Sequence, residues 1–166
     1  MVHLPFAFWR YWSRRILAIV IIVLIVRVNY CERYRVTSDS MMPELQPGEF
    51  VIVDKQVYEW RNPRRWEVIV FRGPEYRTTP YIKRIVGLPG ETIQIKNGNV
   101  FINGEKISSP IETKYLSPGR HGVDAPRRLE ADEYFVLGDN DAKSNDSRHW
   151  PYPAVNRTAI VGRMLP

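Results

Sequence analysis

The chain has 166 residues, of which 44% are hydrophobic and 25% are charged, and its formal net charge is +6. This length supports one domain with a substantial core and leaves room for an appendage. Six arginines and one glutamate lie in residues 1–35, so this segment carries +5 of the charge and the rest of the chain only +1. A nearly neutral globular part argues against nucleic-acid binding, which requires a basic surface.

The first predicted element is a membrane anchor. Residues 16–26 form an unbroken apolar run of 11, which is shorter than the ~18 to 20 residues of a typical spanning helix. Taken alone, the run also fits a buried core helix or the apolar part of a cleavable signal peptide. Aromatic residues on both sides and flanking arginines favour a span, and no small-residue cleavage site follows. We therefore expect one uncleaved transmembrane helix at about residues 13–31, within an anchor segment 1–35.

After residue 35 the sequence predicts β structure. Segments rich in Val, Ile and aromatic residues predict strands at 51–55, 66–71, 81–86, 92–96 and 134–140. The pairs Asn97-Gly98 and Asn103-Gly104 predict two type I′ hairpin turns. No helical periodicity of comparable strength is present. We expect residues 36–166 to form a mostly β domain of antiparallel, coiled or partly barrel-like sheets.

One serine and one lysine attract attention as a chemical pair. A serine hydroxyl is a weak nucleophile that needs a base, and none of the three histidines lies in a strand-like segment. If 81–86 is a strand, Lys83 shares a face with Tyr81 and Ile85, and burial on that face would lower the pKa of its amine. Taken alone, Ser40 is more often a turn or capping residue and Lys83 a surface residue.

Three segments, in this order along the chain, favour a catalytic role for Ser40 and Lys83 over a structural one. They are VTSDSMMPEL (36–45), YIKRIVGLPGE (81–91) and VLGDNDAKSNDSRHW (136–150). Together with residues 54–72, they resemble successive boxes of the type I signal peptidases. These are membrane-bound Ser/Lys endopeptidases that remove signal peptides from exported proteins. The resemblance covers nearly all of residues 36–163, and a match to several motifs is far more specific than a match to one.

The resemblance assigns roles to individual residues. It implies that Ser40 is the nucleophile and Lys83 the general base. It also implies that the hydroxyl of Ser38 and the backbone N–H of Ser40 form the oxyanion hole, and that the hydroxyl of Ser144 orients the lysine amine. Donors placed in this way stabilise the charge that develops in the transition state.

The third box also contains a departure from the family pattern. Asp146 and Arg148 match a structural ion pair behind the site. Asp141, however, stands where most bacterial members have arginine, and Ala142 and Lys143 follow it. The departure puts the shape and charge pairing of this loop in doubt, but it affects none of the residues assigned to the chemistry.

No cofactor or metal is expected. Asp139, Asp141 and Asp146 with His149 fit no standard ligand spacing. The partners implied by the resemblance are preprotein signal peptides and a lipid bilayer, with no nucleic acid; the oligomeric state is left open.

The resemblance also bears on location. Relatives in the endoplasmic reticulum carry histidine where this chain has Lys83, which favours the bacterial or organellar branch. We favour a bacterial plasma membrane, with an organellar inner or thylakoid membrane as the alternative. Basic residues number three on each side of the apolar run, so they do not set its orientation. The resemblance implies a catalytic domain on the export side.

Two other interpretations stay open. One is a Ser/Lys self-cleaving repressor-type protease of related fold, which the anchor and the absence of a DNA-binding module disfavour. The other is a non-catalytic, membrane-tethered β domain that binds exported chains.

Overall fold

The computed structural model describes residues 6–73, 79–111, 115 and 124–166. Helix α1 spans Phe6–Tyr30 and begins earlier than the predicted helix of about 13–31. Its apolar side chains from Ile16 to Val23 are largely exposed, since the rest of the protein does not cover them. Within the described ranges, no helix combines the length and the hydropathy that crossing a bilayer requires.

The rest of the described chain is mainly antiparallel β structure, as the sequence predicts. The strands are β1 Cys31–Arg35, β2 Phe50–Asp54, β3 Val68–Arg72, β4 Pro80–Gly87, β5 Thr92–Lys96, β6 Asn99–Ile102, β7 Glu105–Lys106, β8 Arg127–Arg128, β9 Glu133–Leu137, β10 Val155–Asn156 and β11 Ile160–Met164. Short helical elements are α2 Val57–Trp60 and three 3₁₀ turns at Asp39–Met41, Asp141–Lys143 and Arg157–Ala159.

The strands form two sheets. The larger has the order β1-β2-β11-β3-β4-β9-β10, and the smaller has the order β7-β6-β5-β8. Both predicted Asn-Gly turns are confirmed: φ is 49° and 74° at Asn97 and Gly98, and 52° and 86° at Asn103 and Gly104. Two consecutive positive φ angles define the type I′ turn that matches the twist of antiparallel strands.

Strand β1 is an element that the sequence did not predict. The helix α1 ends at Tyr30 and β1 starts at the next residue, within the segment 1–35 that was assigned to the anchor. β1 pairs with β2 along its whole length, from Cys31 opposite Asp54 to Arg35 opposite Phe50. Its sequence, CERYR, lacks an apolar run because it is an edge strand with most side chains exposed.

Strand β4 lies inside the larger sheet, between β3 and β9, and is covered on both faces. One apolar cluster, around Met41 and Ile82, packs on one side, and another, around Phe71 and Ile85, packs on the other. Lys83 and Arg84 point to opposite faces of the strand, yet both are buried. The sheet therefore buries two basic side chains next to each other in sequence, and burial of each requires either a charge partner or loss of its charge.

Candidate active site

Ser40 lies on the 3₁₀ turn Asp39–Met41, where apolar packing and hydrogen bonds fix the backbone. Met41 is 1% exposed and belongs to the same cluster as Val36. The backbone N–H of Asn140 donates to the carbonyl oxygen of Ser40 at 3.0 Å, and Asn140 Nδ2 donates to the carbonyl oxygen of Asp39 at 3.1 Å. The turn is therefore held from two sides, with Ser40 itself buried.

Lys83 reaches Ser40 from β4. Its Nζ lies 2.7 Å from Ser40 Oγ and donates to the carbonyl oxygen of Ile82 at 2.9 Å. The lysine is only 3% exposed. Desolvation by burial lowers the pKa of its amine to about 8, although the negative charges of Asp146 and Asp139 act in the opposite direction. A substantial fraction of the amine is therefore neutral near pH 8 and able to accept a proton from the serine hydroxyl.

Ser38 completes a group of three polar side chains at this point. Its Oγ lies 3.1 Å from Ser40 Oγ. The three residues border an open cleft of about 240 Å³ whose wall includes the apolar side chains of Met41 and Ile82. The arrangement combines a nucleophile, a base and a further hydroxyl at one surface cavity.

One edge of β4 borders the same cleft. The residues from Pro80 to Lys83 pair with β3 on one side, but the pairing of β4 with β9 begins only at Arg84. Among the described residues, no strand therefore pairs with the other edge of this half of β4. An extended peptide can add to such an edge through backbone hydrogen bonds.

Ser144 is buried, but its hydroxyl does not bond to the lysine. Within the described part of the chain, Ser144 Oγ makes no hydrogen bond to Lys83, and its hydroxyl helps to lower the pKa of the Asp146 carboxyl. The side chain instead packs on Gly138, at a position where any Cβ on that glycine would clash with Ser144 Oγ and lie 2.5 Å from the carbonyl oxygen of Ser40. The predicted hydrogen bond between Ser144 and Lys83 is therefore absent from this arrangement.

Asp146 and Arg148 pair with each other in the interior. Arg148 Nε and Nη2 donate to the two carboxylate oxygens of Asp146 at 2.9 and 2.8 Å, and both side chains are fully buried. Asp146 also accepts from the backbone N–H of Gly138 at 3.0 Å. Although burial raises the pKa of the Asp146 carboxyl, His149 and Arg148 hold that pKa well below its usual range. The pair therefore stays ionised and holds the backbone next to the site.

The structure adds a second buried ion pair that the sequence analysis missed. Arg84 Nε and Nη2 donate to the carboxylate of Asp139 at 2.9 and 2.7 Å. These residues are the chain neighbours of Lys83 and Gly138, so the pair fixes β4 to the third box close to the dyad. Both residues lie in segments that the resemblance covers, because Arg84 follows Lys83 directly and Asp139 belongs to the segment 136–150.

The loop of residues 141–143, which departs from the family pattern and is called the atypical loop, also has charged partners. Asp141 accepts a hydrogen bond from Arg148 Nη1, and Lys143 Nζ donates to Asp39 Oδ2 at 2.6 Å. Both charged residues of this loop, Asp141 and Lys143, thus pair with neighbours of the site.

Comparison with known proteins gives a consistent result. Residues 9–165 match the family described as "Signal peptidase, peptidase S26". The chain is 38% identical to a signal peptidase I of Leptolyngbya laminosa over 153 residues, which is 88% of this chain and 72% of that protein. It is 31% identical to signal peptidase I V of Bacillus subtilis strain 168, covering 92% of this chain and 95% of that protein.

A solved structure agrees as well. The crystal structure of a signal peptidase I from Enterococcus faecalis V583 superposes with a TM-score of 0.51 at 27% identity, covering 63% of this chain and 98% of that one. The family match spans nearly the whole chain, and the relatives exceed 30% identity over most of their length. This chain belongs to the signal peptidase family, peptidase S26.

Proposed function

We propose that this protein is a serine endopeptidase that removes N-terminal signal peptides from exported preproteins, with Ser40 as nucleophile and Lys83 as general base. The observation that carries the proposal is the separation of 2.7 Å between Lys83 Nζ and Ser40 Oγ at the base of an open cleft. Family membership and the names of the relatives support the same reaction and substrate class.

The chemistry follows from the positions of the side chains. Neutral Lys83 takes the proton of Ser40 Oγ, and that oxygen attacks the scissile carbonyl carbon. The resulting oxyanion accepts hydrogen bonds from the hydroxyl of Ser38 and from the backbone N–H of Ser40. The protonated amine of Lys83 then gives its proton to the leaving amino group, and the carbon–nitrogen bond breaks. A water molecule that Lys83 deprotonates attacks the acyl-enzyme and releases Ser40.

The remaining predicted residues act as support. Asp146 and Arg148 hold the backbone of the third box through their buried pair. Ser144 fills the space over Gly138, next to the carbonyl oxygen of Ser40.

The substrate binds as an extended strand. The open edge of β4 from Pro80 to Lys83 supplies backbone hydrogen-bonding groups next to the dyad. The cleft is small, and apolar side chains such as Met41 and Ile82 form part of its wall. Such a cleft suits small apolar residues before the cleaved bond, which is consistent with signal-peptide cleavage sites.

Attachment to a membrane forms part of the proposal. The supporting observation is the exposure of apolar side chains along α1, where Ile16, Leu17 and Ile19 are 58%, 59% and 60% exposed. A soluble monomer rarely leaves so continuous an apolar surface uncovered. We propose that the segment 1–35 attaches the β domain to a lipid bilayer through α1, whereas its last five residues form β1 and belong to the sheet of that domain. The favoured location is a bacterial plasma membrane with the catalytic domain on the export side.

Vesicle flotation tests this attachment. The full chain should float with vesicles of mixed neutral and anionic lipids. A variant carrying Ile19→Arg and Ile22→Arg should remain with the soluble fraction while its β domain stays folded by circular dichroism. Equal flotation of both proteins would contradict membrane attachment through this face of α1.

Incubation with a preprotein tests the activity. The purified full chain in detergent should cut a preprotein once, and sequencing of the new amino terminus should place the cut after the signal peptide. The Ser40→Ala variant should leave the preprotein intact. Cleavage of the chain itself, with the preprotein untouched, would favour a self-cleaving protease. Binding without any cleavage would favour a non-catalytic β domain.

A further inference from the structure

Two oppositely charged side chains meet at the mouth of the cleft. Lys143 Nζ lies 2.6 Å from Asp39 Oδ2, and Lys143 also lines the cleft wall. Asp39 directly precedes Ser40, whereas Lys143 directly precedes Ser144 on the atypical loop. We call this contact the Asp39–Lys143 bridge. It links two chain segments that are 104 positions apart.

The bridge is the outermost of three contacts between the 3₁₀ turn that carries Ser40 and the segment 140–143. The other two come from Asn140, which donates to the carbonyl oxygens of Ser40 and Asp39 at 3.0 and 3.1 Å. Without the bridge, the turn would keep the two hydrogen bonds from Asn140 at one end of the segment. With it, the turn is fixed at two points of the segment.

The far side of the same loop is fixed in the interior. Asp141 accepts a hydrogen bond from Arg148, which is fully buried and pairs with Asp146. The loop therefore rests on a buried charge network at Asp141 and reaches the turn of Ser40 through Lys143. Asp141 and Lys143 thus connect the buried pair of Arg148 and Asp146 to the turn that carries Ser40.

The energetics separate this role from fold stability. The side chains of Lys143 and Asp39 are 60% and 38% exposed, and ion pairs of this kind contribute only about 0 to 1 kcal/mol to stability. Catalysis is more sensitive, since a displacement of about 1 Å in a reacting group can cost roughly 10²-fold in rate. A weak contact that limits the movement of Ser40 relative to Lys83 can thus affect turnover more than folding.

We propose that Lys143 is a positioning residue that, through its ion pair with Asp39, holds Ser40 in register with Lys83. This inference rests on the proposed peptidase function. It predicts that the bridge affects kcat rather than KM, and that high salt weakens its effect because the pair is exposed to solvent.

Charge reversal tests the proposal. Lys143→Met should lower kcat on a preprotein about 3- to 5-fold with KM and Tm nearly unchanged, the size expected of an exposed pair. Lys143→Asp, which places two carboxylates together, should lower kcat by roughly 10-fold. The double variant Lys143→Asp with Asp39→Lys should recover to within about 2-fold of the wild type. Lys96→Ala, which removes an exposed lysine from the end of β5, serves as the matched control and should have no effect.

Amide hydrogen exchange provides a readout that does not depend on activity. The N–H of Asn140, which donates to the carbonyl oxygen of Ser40, should exchange faster in Lys143→Met and return to its wild-type rate in the double variant. A double variant no better than Lys143→Asp in both kcat and exchange would overturn the proposal, as would wild-type kcat in Lys143→Met. If the wild type itself fails to cleave preproteins, the peptidase proposal fails, and the exchange rates alone still decide whether the bridge holds the turn.

Discussion

Lys83 Nζ lies 2.7 Å from Ser40 Oγ although the two residues are 43 positions apart in the sequence. The lysine sits on a strand inside the larger sheet, and the serine sits on a turn that Met41 fixes to the core. Burial of the amine shifts its pKa toward neutrality, so the contact joins a weak nucleophile to a base that can activate it.

The activity should rise with pH through the pKa of Lys83. Only the neutral amine can accept a proton, and its pKa is lowered to about 8. We expect kcat/KM to increase roughly tenfold per pH unit below about pH 7 and to level off above about pH 9. Steady-state kinetics on a peptide substrate between pH 6 and pH 10 would measure this. A profile that is flat over this range would show that Lys83 does not titrate in the free enzyme.

Removal of the Ser38 hydroxyl should slow catalysis without harming the fold. The hydroxyl lies 3.1 Å from Ser40 Oγ, where it can donate to the oxyanion. Ser38→Ala should lower kcat by about 10²- to 10³-fold, the usual effect of losing one such donor, with Tm unchanged. Ser38→Thr keeps the hydroxyl and should retain most of the activity. Equal losses in both variants would indicate a steric role instead.

Gly138 should not tolerate a side chain. A Cβ there would clash with Ser144 Oγ and with the carbonyl oxygen of Ser40, which belongs to the backbone and cannot rotate away. Gly138→Ala should displace Ser40 and lower kcat/KM by roughly 10²-fold or more. Gly90→Ala is a suitable control, because Gly90 has a positive φ but open space around its Cα. It should cost stability and leave kcat/KM unchanged, whereas retained activity in Gly138→Ala would contradict the packing described.

Breaking the buried pair behind the site should destabilise the whole domain. Asp146→Ala removes the carboxylate that accepts two hydrogen bonds from the fully buried guanidinium of Arg148 and one from the backbone N–H of Gly138, although Asp141 still pairs with Arg148. The free energy of unfolding should fall by about 3 to 5 kcal/mol in urea denaturation. Lys55→Ala, which breaks an exposed pair with Glu32, should change it by less than about 1 kcal/mol. Similar changes in the free energy of unfolding for the two substitutions would contradict a stabilising role for the buried pair of Asp146 and Arg148.

The β architecture was accessible from the sequence because its signals are local. Alternation in TIQIK and the two Asn-Gly pairs depend only on neighbouring residues, and the structure confirms both hairpin turns. Strands β1 and β11 were missed because their positions depend on pairing between distant segments. β11, for example, inserts between β2 and β3, and the sequence of either neighbour gives no sign of it.

The candidate site likewise contains residues that local motifs predict and contacts between distant residues that they do not. Ser40, Lys83 and Ser38 were found through motifs, and the structure brings them together. The pair of Arg84 with Asp139 and the bridge between Asp39 and Lys143 join residues more than 50 positions apart, so no spacing rule predicts them. The hydrogen bond between Ser144 and Lys83 is the opposite case, because the motif predicts it and the structure lacks it. A motif identifies a residue but does not fix the rotamer of its side chain.

The most direct test of the Ser/Lys dyad is kcat/KM for preprotein cleavage by purified Ser40→Ala and Lys83→Met, measured together with the Tm of each. The dyad predicts a loss of at least about 10⁴-fold in both variants. Lys83→Met should also be no less stable than the wild type at pH 7. Burial makes the protonated amine of Lys83 less favourable in the folded protein than in the unfolded chain. Below pH 8 the amine is protonated in both states, and its burial then lowers the free energy of unfolding by up to about 3 kcal/mol. Lys83→Met removes the amine and with it this cost. Cleavage at a rate near that of the wild type by either folded variant would contradict the dyad.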